Sequence, residues 1–439
     1  MGDKAKPQEL KPQTTNKKTL AKALKVVLLV LLAVLVLYVL AFNFYDNRWG
    51  VVYDADWFAN WQLDSEQFIL DKMSDAKVNG VFNFNGQLPN YYPQIGLQGI
   101  TFSVIDGLLG YKDNIVNYLH FANSVALAVV FMLVALWFWK EFNPVAGLAV
   151  ILCAYLSHWM VASGRNLYWM LWLLFLPFLL VLFLFWNAKF ENKKWFPFVL
   201  AIVVFVACFA KFACGYEYTS AVLIAMEVPI VYYAVKRKWA LKKYLFFASV
   251  AGAASLLAFA AAFSINMAQL IGQLGGFENA KDAIMLIISQ RTGAFGTELT
   301  GPFQASMDIP LITVYDSYLL GGPMPLIRSY RMSTFIYLFI GVCVLCWLDD
   351  RRFPKICENR HKMNALNVAI LVSLLGPFSW FTLAKGHSWI HRHITHILWS
   401  IPCLPLIFGV FGAWLGYFLM DATPLVLRKA KVKILRRSE

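Results

Sequence analysis

Two acidic pairs, Asp54-Ala55-Asp56 and Asp64-Ser65-Glu66, follow closely behind the first long apolar run of this chain. A carboxylate in either pair can take a proton from an attacking hydroxyl while its neighbour orients that hydroxyl or holds a divalent cation, Mg or Mn. The same positions also suit helix capping. Asp64 with Gln67 three residues on has the form of a capping box, and acids are favoured at helix N-termini. A second group lies at AKGHSWIHRHITH (384–396), which carries four of the seven histidines with Lys385 and Arg392. On one continuous helix, at about 100° per residue, His387 and His391 share a face while His393 and His396 point elsewhere, so a single four-His metal site is disfavoured. The Cys and carboxylate spacing of zinc motifs is also missing. Lys385, His387, His391 and Arg392 instead supply hydrogen-bond donors for a phosphate at a membrane edge.

A third group, KFACGYEYTS (211–220), sets Glu217 between Tyr216 and Tyr218. Tyrosine at that depth is ordinary interfacial behaviour, and Glu217 is an interfacial acid that could also meet substrate. Arg165, in RNLYW, and Arg291, Arg328 and Arg331 are further cations for a diphosphate or carboxylate. Glu227 stands apart, because it falls inside an apolar run, where an ionisable group is expensive. Apart from His158, no other charge or histidine is centrally placed in such a run, so no proton relay is visible.

The elements that must hold these residues are set by composition. Of 439 residues 59% are hydrophobic and 15% charged, and mean hydropathy is +0.58, against about 45–50% apolar and about 25% charged in soluble domains. That excludes a soluble enzyme. Apolar runs near the length needed for a roughly 30 Å core recur throughout. Ten spans are expected, at about 24–43, 117–139, 144–163, 166–187, 196–213, 219–235, 244–266, 333–348, 364–384 and 394–420. The fold class is therefore an all-α polytopic membrane protein: a disordered basic tail at 1–22, one membrane domain at 23–420 and a basic tail at 421–439.

The net charge of +14 sits at span ends and calls for membrane lipids, not nucleic acid. With the N-terminus inside, 27 of the 39 Lys and Arg fall on inner segments, and the remaining twelve lie outside or at outer helix ends. Both termini are then cytoplasmic, and two long loops, 44–116 and 267–332, lie outside. The inner connections are short basic stubs such as KRKWALKK (236–243). The first outer loop is acidic, with nine acids against four bases. Within it, 63–76 has helical spacing with Phe68, Ile69 and Met73 placed for a membrane surface, and 94–110 is apolar but too short to span. The seven cysteines lie in or beside apolar segments, none in either long loop, and they form no disulfide framework or zinc pattern.

An inside N-terminus, about ten spans, an acidic pair in the first outer loop followed by interfacial helices, and a second large outer loop resemble the GT-C superfamily of membrane glycosyltransferases. Asp64-Ser65-Glu66, or alternatively Asp54-Ala55-Asp56, matches that superfamily's loosely defined DxD, ExD, DDx or DEx signature. The resemblance implies a sugar donor on a polyprenyl phosphate or diphosphate, transferred with inversion to an extracytoplasmic acceptor, whether glycan, lipid or protein. It implies Asp64 or Glu66 as base, the other orienting the acceptor; separately, the absence of evident organelle or sorting signals favours a bacterial inner membrane. Where members of the superfamily use a metal, this carboxylate pair contributes ligands. A lipid-linked donor suits the chain, since no inner segment is large enough for a nucleotide domain or carries a Gly-rich phosphate loop. The rival expectation is a polytopic transporter or lipid flippase, which should show repeated halves and broken midplane helices.

Overall fold

The computed structural model describes residues 14–80, 94–292, 300–321, 326–327, 329–347 and 354–435. The described residues are mostly helical. Among the described residues the extended pairing is confined to two isolated bridges, Ser157 with Ile327 and Ile327 with Tyr330. Helix α1 (Thr14–Asp46) leads into the first loop, which holds α2 (Ala55–Asn60), α3 (Leu63–Asn79) and α4 (Leu97–Leu108). Next come α5 (Ile115–Glu141), α6 (Pro144–Leu156), α7 (His158–Ser163), α8 (Leu171–Leu184), α9 (Phe196–Ala213) and α10 (Thr219–Lys236). The long α11 (Leu241–Leu274) turns into α12 (Phe277–Thr292), α13 (Gly301–Met307) and α14 (Leu311–Leu319). The chain finishes with α15 (Met332–Trp347), α16 (Pro354–Leu383), the short α17 (Lys385–Ile390) and α18 (Arg392–Thr395), a 3-10 turn (His396–Ser400) and α19 (Cys403–Leu435).

Among the described residues seven helical stretches are long and apolar enough to cross a bilayer: Leu20–Asp46, α5, α9, α10, α11, α16 and the composite Arg392–Ala422. The other three expected spans coincide with shorter apolar helices, α6, α8 and α15. Helix α6, at 13 residues, reaches only about 20 Å at about 1.5 Å per residue. The expected span 144–163 is divided at Ser157, whose backbone leaves the helical region and whose hydroxyl caps α7 through Met160 N. Helices α8, α10 and α16 carry Pro177, Pro229 and Pro377 in their interiors, a placement membrane helices tolerate when neighbours re-satisfy the freed carbonyls. Helix α1 begins at Thr14, ahead of the expected span, and residues 1–13 and Arg328 lie outside the described residues.

Two expectations are corrected. Ile69 and Met73 do not face lipid: they are buried with Phe102, Ile115, Leu119, Leu167 and Tyr168, and Phe68 packs on the same cluster. Apolar residues at helical spacing have found protein rather than membrane, because α4 lies against α3 and the pair rests on α5 and the start of α8. The last expected span, 394–420, is not continuous either, since the 3-10 turn and Pro402 separate α18 from α19.

Close helix approach is built with small residues, which in a membrane let backbones meet where no hydrophobic drive separates helix from lipid. Gly409, Gly412 and Gly416 bring α19 onto α5 and α6. A Cβ at Gly412 would lie 2.6 Å from Ala149 Cβ and 2.8 Å from Val145 O; one at Gly409 would strike the Phe138 ring, and one at Gly416 the Asn143 amide. Asn143 in turn caps α6 through Ala146 N and donates to Ala413 O at 2.9 Å. Overpacking at such a contact costs about 1–3 kcal/mol. Gly412→Leu is therefore expected to lower the thermal unfolding midpoint in detergent by several degrees, followed by tryptophan fluorescence. Gly341→Ala, where a Cβ meets nothing within 4 Å, is expected to leave it in place; equal shifts for both would contradict the close packing of α19.

Candidate polar site at one end of the bundle

The end of α1, the start of α5, the α7–α8 turn, the α9–α10 turn and the segment between α16 and α19 meet at one end of the bundle, and the first loop folds onto them. Glu66 makes the join. It is 4% exposed, its Oε1 stands 2.5 Å from His120 Nε2 and accepts from Leu167 N at 3.1 Å. Asn166 adds a bond to Gln62 O and receives Asn123 at its own carbonyl, while Trp172 donates to Asn123 Oδ1. Arg165 lies over the Phe58 ring at 4.5 Å and donates to Phe58 O and Ala59 O, so it binds α2 down.

The two acidic pairs are thereby separated in kind. Asp54 caps α2, accepting from Trp57 N at 2.8 Å, and Asp56 is an exposed first-turn acid. The α3 cap is Gln62, in a left-handed conformation without a side-chain cap bond, so Asp64 does not form the capping box its spacing suggested. Gln62 Oε1 accepts from Ser65 instead, and Gln67 donates to Asp71. Asp64 is exposed, and among the described residues no hydrogen bond or ion pair engages its carboxylate. Its charge is felt at His391 and His393, more than 300 residues away in sequence.

The histidine segment is not one helix. His391 sits between α17 and α18 with φ −100° and ψ 37°, and this break gathers the rings: His387 to His391 is 4.5 Å between centroids and His391 to His393 is 5.7 Å. His396 turns away and stacks on Trp159. Gly386 allows the approach of α17, since a Cβ there would meet Met307, Ser306 Oγ at 2.8 Å and Gln290 O at 3.2 Å. Lys385 is committed to this packing as well, donating to Met307 O at 2.7 Å and Ile309 O at 3.0 Å. The Arg392 guanidinium lies 3.9 Å over the Trp389 ring and, among the described residues, donates no hydrogen bond.

On the other side, Glu217 is buried and held by Arg291 Nη2 at 2.8 Å and by the Tyr168 hydroxyl at 3.3 Å. Gly215, at φ +142°, leaves room for its carboxylate, which a Cβ at that position would strike. The buried Lys211 donates to Gly215 O at 2.5 Å. Tyr216 packs on Phe259 and Phe263 with its hydroxyl buried and, among the described residues, without a partner. Burial and the neighbouring Glu217 charge push that hydroxyl's pKa up. Sequence reasoning passed over His120 and Asn123, because each is a polar residue near the end of a long apolar run; its signal is only that such a residue needs a partner.

Burial, reinforced by the nearby Arg291, holds the His387 pKa well below its ordinary value. His391 is lowered to about 4 by burial, then by His393 and Arg291, against the opposing pull of Asp64 and Glu217. The site at neutral pH therefore offers neutral imidazoles, one guanidinium paired to a carboxylate, one stacked on an indole, and a bare carboxylate at its edge. Among the described residues no group of three or more His, Cys, Asp or Glu side chains is arranged to hold a metal ion, and Glu66, the natural partner of Asp64, is already engaged. Glu227 lies in α10, with Oε2 buried and unpartnered among the described residues, away from this end. Comparison with protein-family models, curated proteins and solved structures finds no significant match to this chain.

The lowered His391 has a consequence for stability. An unfolded histidine titrates near about 6.5, so between that value and about 4 the unfolded chain binds more protons than the folded one. The contribution is complete above about pH 6.5 and is lost as pH falls toward 4. The unfolding midpoint is expected to drop across this window, and His391→Gln to drop less steeply; identical slopes would contradict a buried neutral imidazole.

Proposed function

We propose that this chain is an inverting membrane glycosyltransferase of the GT-C type, moving a sugar from a polyprenyl-phosphate or polyprenyl-diphosphate donor to an extracytoplasmic acceptor. The observation that carries this reading is the placement of Asp64, an unengaged carboxylate on the first loop, within electrostatic reach of the His391 and His393 imidazoles. A base and a set of anion-binding donors face each other across one end of a membrane bundle. In the step proposed, Asp64 takes the proton of the acceptor hydroxyl, the acceptor oxygen bonds to the anomeric carbon, and the bond from that carbon to the donor phosphate breaks. The phosphate leaves with the electron pair, and Arg392 and the imidazoles of His387 and His391 receive it. Arg291, fixed by Glu217, adds positive potential from behind. No step is routed through Mg or Mn, since the described donor set does not fit a metal.

The charge pattern supports an outward-facing site. At the opposite end of the bundle lie Lys236 with Glu141, Arg237 and Lys243 with Glu191, and the Lys355 backbone against Asp421. That is the basic end, which the bias of Lys and Arg assigns to the cytoplasm. Such an orientation suits a bacterial inner membrane with both termini inside.

Sugar transfer from lipid-linked donors by the purified protein tests the proposal. Removing a general base costs about 10²–10⁴-fold, so Asp64→Asn is expected to lose turnover by that factor while remaining folded. Asp54→Ala is expected to transfer at the wild-type rate, at a cost in stability of about 0.5–2 kcal/mol for the lost cap. Full activity in Asp64→Asn would remove the base from this account. No transfer by wild type across a broad donor set would favour a transporter or flippase.

A further inference from the structure

Beside the Asp64 edge lies a second polar concentration that the transfer step leaves unused. Trp57 of α2 rests on His158, ring centroids 5.3 Å apart and tilted 37°, and meets Trp159 edge-on at 6.0 Å. Behind it Trp159 stacks on His396 at 5.5 Å and 21°, and His396 meets Tyr318 at 4.6 Å. His158, Trp159 and His396 are 6%, 0% and 2% exposed. Yet His158 Nε2, Trp159 Nε1 and His396 Nε2 are buried with no hydrogen-bond partner among the described residues.

A buried polar atom without a partner costs about 1–3 kcal/mol, and natural proteins seldom leave three on adjacent rings. Aromatic faces with lone nitrogens between them match one ligand chemistry. A pyranose presents an apolar face of C–H bonds and a rim of hydroxyls, and aromatic rings that combine an apolar body with a polar handle serve both at once. The patch adjoins the phosphate side of the site, since the Arg392 charge reaches His396. Trp57 is half-buried and belongs to a six-residue helix, so it stands at the entrance while the three nitrogens lie behind it.

We propose that Trp57, His158, Trp159 and His396 form a binding subsite for a pyranose sugar, with Trp57 as the movable wall that covers the sugar face and the three ring nitrogens as partners for its hydroxyls. The subsite is closed in the present arrangement, and α2 must shift outward to admit a ring. The inference rests on the transferase reading for its setting, while its test needs no turnover.

The test is saturation-transfer NMR on the full chain in detergent, with the methyl α-pyranosides of glucose, galactose and mannose as probes. Saturation is expected on the ring protons of at least one of them, with binding at least tenfold weaker in Trp57→Ala and in His396→Phe. Trp57 is at the rim and His396→Phe keeps the ring shape, so both variants are expected to fold, as thermal unfolding will register. No saturation from any pyranoside, or unchanged binding in both folded variants, would overturn the subsite. The corresponding sugar 1-phosphates separate two sources of the ring. Tighter binding than the methyl glycosides marks the donor sugar, whose phosphate reaches Arg392, and equal binding marks the acceptor. Sugar binding without transfer would sink the transferase reading alone, and transfer with no sugar binding would sink this subsite alone.

Discussion

The bond between Glu66 and His120 holds the first loop to the bundle, and the placement of the other site residues depends on it. A buried carboxylate is tolerated only where its charge is met, and here it is met by an imidazole from the second turn of α5 and by the amide of Leu167. Breaking such a pair leaves an uncompensated buried charge, which is costly, typically about 3–5 kcal/mol. The bond therefore fixes where α3 begins. Asp64, two residues earlier and about 200° round the helix, is turned outward, and its charge reaches the segment that follows α16. Asp64 owes its freedom to the fact that Glu66 is taken.

That segment meets the loop because it is not a regular helix. A continuous helix through 384–396 would scatter its histidines around the axis. The interruption at His391 instead brings His387, His391 and His393 together, and the tight seat of Gly386 against Met307 and Ser306 keeps α17 close. Lys385 serves the same seat through Met307 O and Ile309 O. The irregular backbone lies at the end of the bundle, which is where a membrane protein can accommodate it without leaving amides unsatisfied in lipid.

Most of the architecture was legible in the sequence because its cause is local: an apolar run must be helical in a bilayer. Helix α9 lies at the expected 196–213, and α10 within one residue of 219–235. The misses have a different origin. Ser157 and the turn at 396–400 interrupt runs that are mostly apolar, and whether a Ser, His or Pro breaks such a run depends on packing, such as the bridge from Ser157 to Ile327. Ile69 and Met73 have the spacing of a surface helix, and nothing local distinguishes a membrane from α4 as their cover. The acidic and histidine groups were visible as residue types. Which acid is engaged was not, because His120 and Leu167 settle it from elsewhere in the fold.

The central claim is that the first-loop carboxylate and the histidine segment face one another on the outer side of the membrane. Its most direct test is a double variant, Asp64→Cys with His393→Cys, in intact cells, treated with a short membrane-impermeant bifunctional thiol reagent. The account predicts rapid cross-linking from outside, and none when Lys140→Cys at the opposite end of α5 replaces His393→Cys as the partner. Failure of 64 and 393 to link, or modification of either only after the membrane is opened, would contradict it.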